Sequence, residues 1–432
     1  MTAQEALTGY IDTLTIVDTH EHLPNEADWA AREGDVLEEW LAHYFSADLV
    51  SAGLPLKTLE ETIRNSTKSL GERWETVEPY WRAAANTGYA RALDIAARDL
   101  YGLPGVSRET IEALDTEFKK RRRQAAQGAS YYHHVLKDKS QIEVSLNDWF
   151  EDTWLVLDRD FFRTVFRLEG VTDLADRESF EKLGDRVGIR IHSLDDYQQS
   201  VESAIDKAYE RGAVAVKIPF AYRRTLRFEK RTRHEAESLF NGLFELPGGK
   251  DSGVTSGAAL QPLEDYMLHA VLRIADQRGL VVQVHTGLQE GSGNIISNSN
   301  PELLVNLFLE YRNVKFDIFH MAWPYQMTLA AIAKNFPNVF IDMCWAHIIS
   351  PESSVRALVE YLDSVPASKI SAFGGDYLFP DGVYGHQRIA RENVARALSM
   401  KVEQGVFDLD RAMELAGWLF RENPKRIFGL DL

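Results

Sequence analysis

With 432 residues, 45% of them hydrophobic, the chain can bury a large core, and its formal net charge is −17. The acidic excess argues against nucleic acid or an anionic membrane as partner, and it leaves a small-molecule substrate, which local arginines or a metal could still make an anion. The single cysteine, Cys344, rules out an intrachain disulfide and fits a reducing compartment. The N-terminal MTAQEALTGYID carries no basic-then-apolar signal and no apolar run approaches ~18 residues, so a cytoplasmic chain without a membrane span is expected, with a homo-oligomer left open.

The stretch LTIVDTHEHL, Leu14 to Leu23, is an apolar run that breaks into polar residues, the pattern of a buried strand reaching the rim of a sheet. Residues two apart on a strand share a face, so His20 and His22 aim two imidazoles at one point while Glu21 faces away. Neutral imidazole is a common ligand for zinc and related metals. From about Asn25 to Asp138 the spacing of apolar residues turns helical, as in WETVEPYWRAAANTGYARALDIAARDLYG, with a helix start expected at Ser107 after a break at Gly102-Leu103-Pro104-Gly105. That is too much helix for one strand-to-strand connection. Residues 28–136 are therefore expected to form a helical insertion over the mouth of the site, with 1–27 and 137–432 forming the main domain. Arg121-Arg122-Arg123 reads as a solvated basic run in preference to an anion site.

Beyond Tyr132 the chain alternates strand with helix. Candidate strands are Ile142–Leu146, Thr164–Leu168, Arg190–His192, Ala213–Ile218, Leu280–His285, Lys315–His320, Val339–Met343 and Ile370–Phe373. Helix-like segments lie between several of them, including Ser200–Arg211, Leu263–Arg278, Gln326–Asn335 and Ser353–Leu362. Such alternation implies a parallel sheet. With the first strand there are nine candidates, one more than a closed (β/α)8 barrel uses. No glycine fingerprint for a dinucleotide follows any strand. The glycine-rich stretch Phe240 to Leu260 is expected to be a long loop over the site.

Four later strand ends also carry side chains that can ligate a metal or transfer protons. GAVAVKIPF ends near Lys217, GLVVQVHTG at His285, KFDIFHMAW at His320, and ISAFGGDYLFP at Asp376. In a parallel barrel all strand C-termini open on one face, so these residues would converge with His20 and His22 on a metal site.

In that order, His20 and His22, Lys217, His285, His320 and Asp376 resemble the amidohydrolase superfamily of metal-dependent barrel enzymes. The helical insertion after the first strand looks like that of uronate isomerases. KIPFAYRRTL and GGDY…YGHQRIARENVARAL look like the amidohydrolase-related group to which the amidohydrolase part of nodulin/glutamine-synthetase-like fusion proteins belongs. The resemblance implies a (β/α)8 TIM barrel of the metal-dependent hydrolase type.

It also implies roles. A divalent metal, zinc for preference, would be held by His20, His22, His285 and Asp376, with an open position for water. Asp376 would be the general base, and His320 would polarise a substrate carbonyl or bind a second metal. Lys217 decides the number of ions: carbamylated it would bridge two, unmodified it would meet the substrate beside one. For substrate binding the candidates are Arg223, Arg224 and Arg167, with Arg163 nearby, together with Trp323 and Tyr377. Arginine forks suggest a carboxylated substrate. His347, Tyr384 and His386 are rim candidates, and Trp29, Trp74 and Trp81 of the insertion could close the pocket or pack its core. The first expectation for function is hydrolysis of an amide, lactone or ester by metal-activated water. The alternatives are uronate isomerisation or decarboxylation in the same cup, and a barrel that has no catalytic activity.

Overall fold

A computed structural model describes residues 2–63, 67–149, 154, 158–244 and 259–432. Most of the expected glycine-rich loop, 245–258, lies outside the described residues.

Eight strands form one parallel sheet in the order β1 to β8: Ile16–Glu21, Ile142–Asn147, Phe162–Arg167, Ala213–Ile218, Val281–Val284, Phe316–Ile318, Val339–Asp342 and Ile370–Ser371. The seam between β8 and β1 is closed by backbone bonds beyond the last ladder. Thr19 N donates to Phe373 O (3.1 Å), Asp376 N to His20 O (2.8 Å) and His22 N to Tyr377 O (3.0 Å). The chain is thus a (β/α)8 barrel. The ninth candidate strand, Arg190–His192, is an extended approach to the helix Leu194–Glu210. Among the described residues it joins no strand ladder, because Ser193 and Asp196 cap that helix with the chain already leaving the sheet.

Alternation along the strands layers the barrel interior. Val17, Val144, Leu146, Val165, Ala215, Val281 and Phe340 form an inner apolar floor, closed from below by Ile427, Phe428 and Leu430 of the C-terminal segment. Two residues further along β4, β5 and β7 the lining becomes polar, with Lys217, Gln283 and Asp342, all buried. The opposite strand faces join the large core shared with the outer helices.

The helix α1, Ala3–Ile11, precedes β1, and among the described residues seven α-helices lie between β1 and β2, α2 Glu26–Ala31, α3 Val36–Leu41, α4 Tyr44–Ser51, α5 Leu56–Ile63, α6 Leu70–Ala84, α7 Gly88–Tyr101 and α8 Ile111–Ala126, followed by a π-helical turn at His133–Lys139. They have their own aromatic core, in which Trp29, Trp74 and Trp81 are buried. The α8 helix begins four residues after the expected start, because Ser107 to Thr110 is spent on a hydrogen-bonded turn. Arg122 is not solvated: it is buried, paired with Glu39 at 2.8 Å and lies over the rings of Trp29 and Phe118. A buried Asp381, at the start of the helix Pro380–Glu403, accepts from Trp40, Tyr101 and Tyr131 and so ties these helices to the last strand's connection. No described helix is long and apolar enough to cross a membrane.

Candidate metal centre and active-site cavity

The strand ends bring His20, His22, Lys217, His285, His320 and Asp376 together. His22 Nε2 stands 3.2 Å from Asp376 Oδ1, His20 Nε2 3.7 Å from the same oxygen, and His320 Nε2 3.9 Å from Oδ2. His285 Nδ1 is 3.1 Å from His320 Nε2. The backbone is bent to allow this. His320, Met321, Ala322, Trp345 and Asp376 all have positive φ, between 45° and 60°, at the ends of β6, β7 and β8. Such strain persists where surrounding contacts over-determine it, and it clusters at functional sites.

For Asp376 those contacts come from β1. Gly375 N donates to Asp18 Oδ1 (3.1 Å), Tyr377 N to Glu21 Oε2 (2.8 Å), and Asp376 N to His20 O (2.8 Å). Burial raises the pKa of Asp18 to about 7 and, with the neighbouring Asp18 carboxyl, carries that of Glu21 well above the carboxylate range. Gly375 is glycine for want of room, since a Cβ there would lie 1.7 Å from Glu21 Oε1.

The four histidines are each fixed in one tautomer by an acceptor behind the ring. His22 Nδ1 meets Asp148 O, His320 Nδ1 meets Cys344 O (2.9 Å), and His285 Nε2 meets Leu288 O (2.9 Å). His20 Nδ1 meets Gln283 Oε1 (3.0 Å), an oxygen because the Gln283 amide nitrogen is committed to Thr19 O and Asp317 Oδ2. Each ring therefore donates backwards and turns an unprotonated nitrogen to the front. Burial depresses the pKa values of His20 and His285 well below the usual value, and that of His320 to about 4, so these three rings are neutral. Lone pairs facing a carboxylate or one another across 3.1–3.2 Å repel unless a cation lies between them. The donor set thus fits a divalent metal. His20, His22 and Asp376 have ligand atoms all within 4.8 Å of one another, as do His320, Cys344 and Asp376.

Lys217 completes the floor, with Nζ 3.4 Å from His20 Nε2 and 3.5 Å from the centre of the Phe319 ring. Burial lowers its pKa to about 8. Burial works to raise the Asp376 carboxyl; positive charge on the side of His22, His320 and His20 carries it well below the usual range, a part that a bound cation takes when these rings are neutral.

Above this floor is a cavity of about 300 Å³ lined by His43, Tyr44, Arg167, Tyr222, Glu290 and the centre itself. His43 and Tyr44 belong to the segment between β1 and β2. The Tyr44 hydroxyl donates to Asp376 O, and its ring stacks on Trp345 at 4.4 Å. Burial keeps Tyr44 protonated.

The expected substrate arginines fare differently. Arg167 reaches the cavity wall but is paired with Asp148 (2.7 Å) and Glu169 (2.9 Å). Arg224 is buried in ion pairs with Glu264 (2.8 Å) and Asp265 (2.7 Å), and Arg223 pairs with Glu264 and Asp173, so the structure does not bring these two to the cavity. Arg163 binds backbone carbonyls of Arg159 and Phe162. Trp323 lies behind His285, its carbonyl accepting from Leu288 N. Tyr377 is buried against the edges of the His43 and Tyr44 rings. His347 and His386 are buried behind the barrel rather than on the rim, and Tyr384 bonds Asp99.

Several residues that shape the site are not among the candidates read from the sequence: Asp18, His43, Tyr44, Asp148, Gln283 and Trp345. Asp18 and Gln283 were visible as polar interruptions two residues before the strand-end histidines.

Fold and site together define a metal-centred barrel enzyme, and the chain belongs to the amidohydrolase family, whose profile matches residues 172–430. Among curated proteins it is similar to protein fluG of Emericella nidulans, 25% identical over 177 residues, which are 40% of this chain and 20% of that protein. The chain thus matches about a fifth of that relative's length. Among solved structures it is similar to uronate isomerase of Thermotoga maritima, with a TM-score of 0.78, 18% identity and coverage of 99% and 97% of the two chains. Glucuronate isomerase of Caulobacter crescentus aligns with a TM-score of 0.76, 19% identity and coverage of 100% and 94%.

Proposed function

We propose that the protein is an isomerase that moves a proton between adjacent carbons of a small hydroxy-carbonyl compound, a sugar acid of the uronate class. The observation that carries this reading is the pairing of two proton-handling groups of opposite character in one cavity, the Asp376 carboxylate and the Lys217 ammonium. Hydrolysis by activated water needs only the first. The similarity in fold to uronate isomerases, which includes the segment that supplies Tyr44, favours the same reading.

Interconversion of a 2-hydroxy aldehyde and a 1-hydroxy ketone shifts one proton between C1 and C2 and another between their oxygens. Asp376, ionised at neutral pH, accepts a proton at its Oδ atoms. Tyr44, kept neutral by burial, has its hydroxyl proton bonded to Asp376 O and its ring stacked on Trp345, and so helps to hold the turn that carries the carboxylate. Lys217, largely ammonium at neutral pH with its pKa near 8, offers N–H donors to a substrate oxygen. The surrounding cavity, about 300 Å³, is of a size for a six-carbon acid. A divalent metal bound by His20, His22 and Asp376 would polarise the carbonyl and acidify the neighbouring hydroxyl.

The test is a screen of protein reconstituted with zinc or manganese against hexuronates, lactones and N-acyl amino acids, read by NMR in D2O. Keto-acid formation with deuterium entering one carbon is the expected result. Turnover of a lactone or amide with no conversion of any uronate would replace this reading with the hydrolytic one.

A further inference from the structure

Beneath the centre, a line of buried polar groups joins two of the histidines. His20 Nδ1 donates to Gln283 Oε1, and Gln283 Nε2 donates to Thr19 O (3.0 Å) and Asp317 Oδ2 (3.3 Å). Burial raises the pKa values of both Asp317 and Asp342; Asp342 raises Asp317 further while the bond from Asp317 works to lower Asp342, which fits two carboxyls holding a proton between them. Asp342 Oδ1 accepts from Cys344 N (2.8 Å), and Cys344 O accepts from His320 Nδ1 (2.9 Å). Every one of these side chains is buried.

The logic of the line is directional. An amide can present its oxygen or its nitrogen, and a ring nitrogen can donate or accept. With both Gln283 N–H bonds taken by acceptors, only the oxygen is left for His20, and His20 must then carry its proton on Nδ1. Rotating the amide would set its N–H against the Nδ1 proton and its oxygen against Thr19 O and Asp317.

We propose that Gln283 is the positioning residue of the centre: it holds His20 in the tautomer whose Nε2 faces the cavity, and Asp317 holds Gln283 in the orientation that does so. Part of this rests on the metal reading above, since the free Nε2 is what a metal would use. The tautomer itself does not.

Two measurements test it. The first is the tautomer of His20 in metal-free wild-type protein at neutral pH, from ring ¹⁵N shifts of histidine-labelled protein assigned with His20→Asn. A proton on Nδ1 is expected, and a proton on Nε2 overturns the proposal. The second is zinc affinity by competition with a chromophoric chelator. Gln283→Leu, which removes the acceptor at similar volume, should weaken binding by roughly 10–100-fold, the usual consequence of losing the partner behind a metal-bound histidine. Gln283→Glu keeps an acceptor for Nδ1–H and should restore affinity to within about threefold. Val282→Ala, a cavity on the opposite face of the same strand, costs stability without touching His20 and should leave affinity unchanged. Binding by Gln283→Leu within threefold of wild type, or equal weakening in Val282→Ala, overturns the proposal. Should wild type bind no metal, the metal reading fails and the tautomer measurement alone decides Gln283. Should Gln283→Leu fail to fold, Gln283→Glu and the tautomer decide it.

Discussion

Gly375→Ala adds one methyl where the turn before Asp376 crosses β1. The new Cβ would lie 1.7 Å from Glu21 Oε1 and 2.7 Å from its Cδ, so the carboxyl must withdraw by roughly 1.5 Å to reach van der Waals contact. The φ of Gly375 is not among the positive ones, so the conformation itself suits alanine and the effect is purely steric. Withdrawal breaks the bond from Tyr377 N, which is buried, and leaving that donor unpaired costs about 1–3 kcal/mol. Overpacking adds about 1–3 kcal/mol. An unfolding entropy of about 2.1 cal/mol/K per residue gives about 0.9 kcal/mol/K for 432 residues. A loss of about 2–6 kcal/mol thus lowers Tm by only about 2–7 °C, within reach of calorimetry. The larger expected effect is on metal retention, because Asp376 moves with the turn. Gly9→Ala, whose Cβ would meet nothing within 4 Å in the first helix, is the control and should hold or raise Tm. Unchanged Tm and unchanged metal content in Gly375→Ala would refute the reasoning.

Three further predictions follow from the same structure. Asp376→Asn should keep the fold and much of the metal yet lower turnover by about 10²–10⁴-fold through loss of the proton acceptor; parental activity on any substrate would return Asp376 to a structural role. Arg224→Met should destabilise by about 2–3 kcal/mol, because buried Glu264 and Asp265 each lose a charge-assisted bond and keep only Arg223 and Arg231, while metal content is unchanged; unfolding and elemental analysis check it. Folded His347 is neutral with its pKa lowered by burial to about 4, against about 6.5 unfolded, so the unfolded chain takes up more protons between these values and stability falls as pH drops from 6.5 towards 4. His347→Gln should flatten that dependence of Tm on pH, and an unaltered slope would count against a buried neutral His347.

The barrel was legible because each strand shows as a short apolar run, and the strand-end residues because their chemistry stands out against such runs. Gln283, Asp317 and Asp342 sit within those runs and read only as breaks in hydrophobicity, since nothing local says that they meet in space. His43 and Tyr44 lie in helical sequence, where aromatic residues usually mean packing. Arg223 and Arg224 looked like anion hooks because their neutralising acids, Glu264 and Asp265, lie about 40 residues further on in another helix. The surplus strand at 190–192 had the composition of a strand, and it was the cap of the next helix that withdrew it from the sheet.

The bonds that position Asp376 join residues separated by nearly the whole chain: Thr19 to Phe373, Asp18 to Gly375 and Glu21 to Tyr377 are 354, 357 and 356 positions apart. None can form on a ribosome before residue 373 has emerged, and the last of them waits for residue 377. A nascent or truncated chain therefore has the His20–His22 pair but neither the Asp376 ligand nor the carboxyls' partners that shape its turn. Capture of a metal becomes a report that the barrel is closed, and an unfinished chain presents to the cell a pair of histidines rather than a reactive centre.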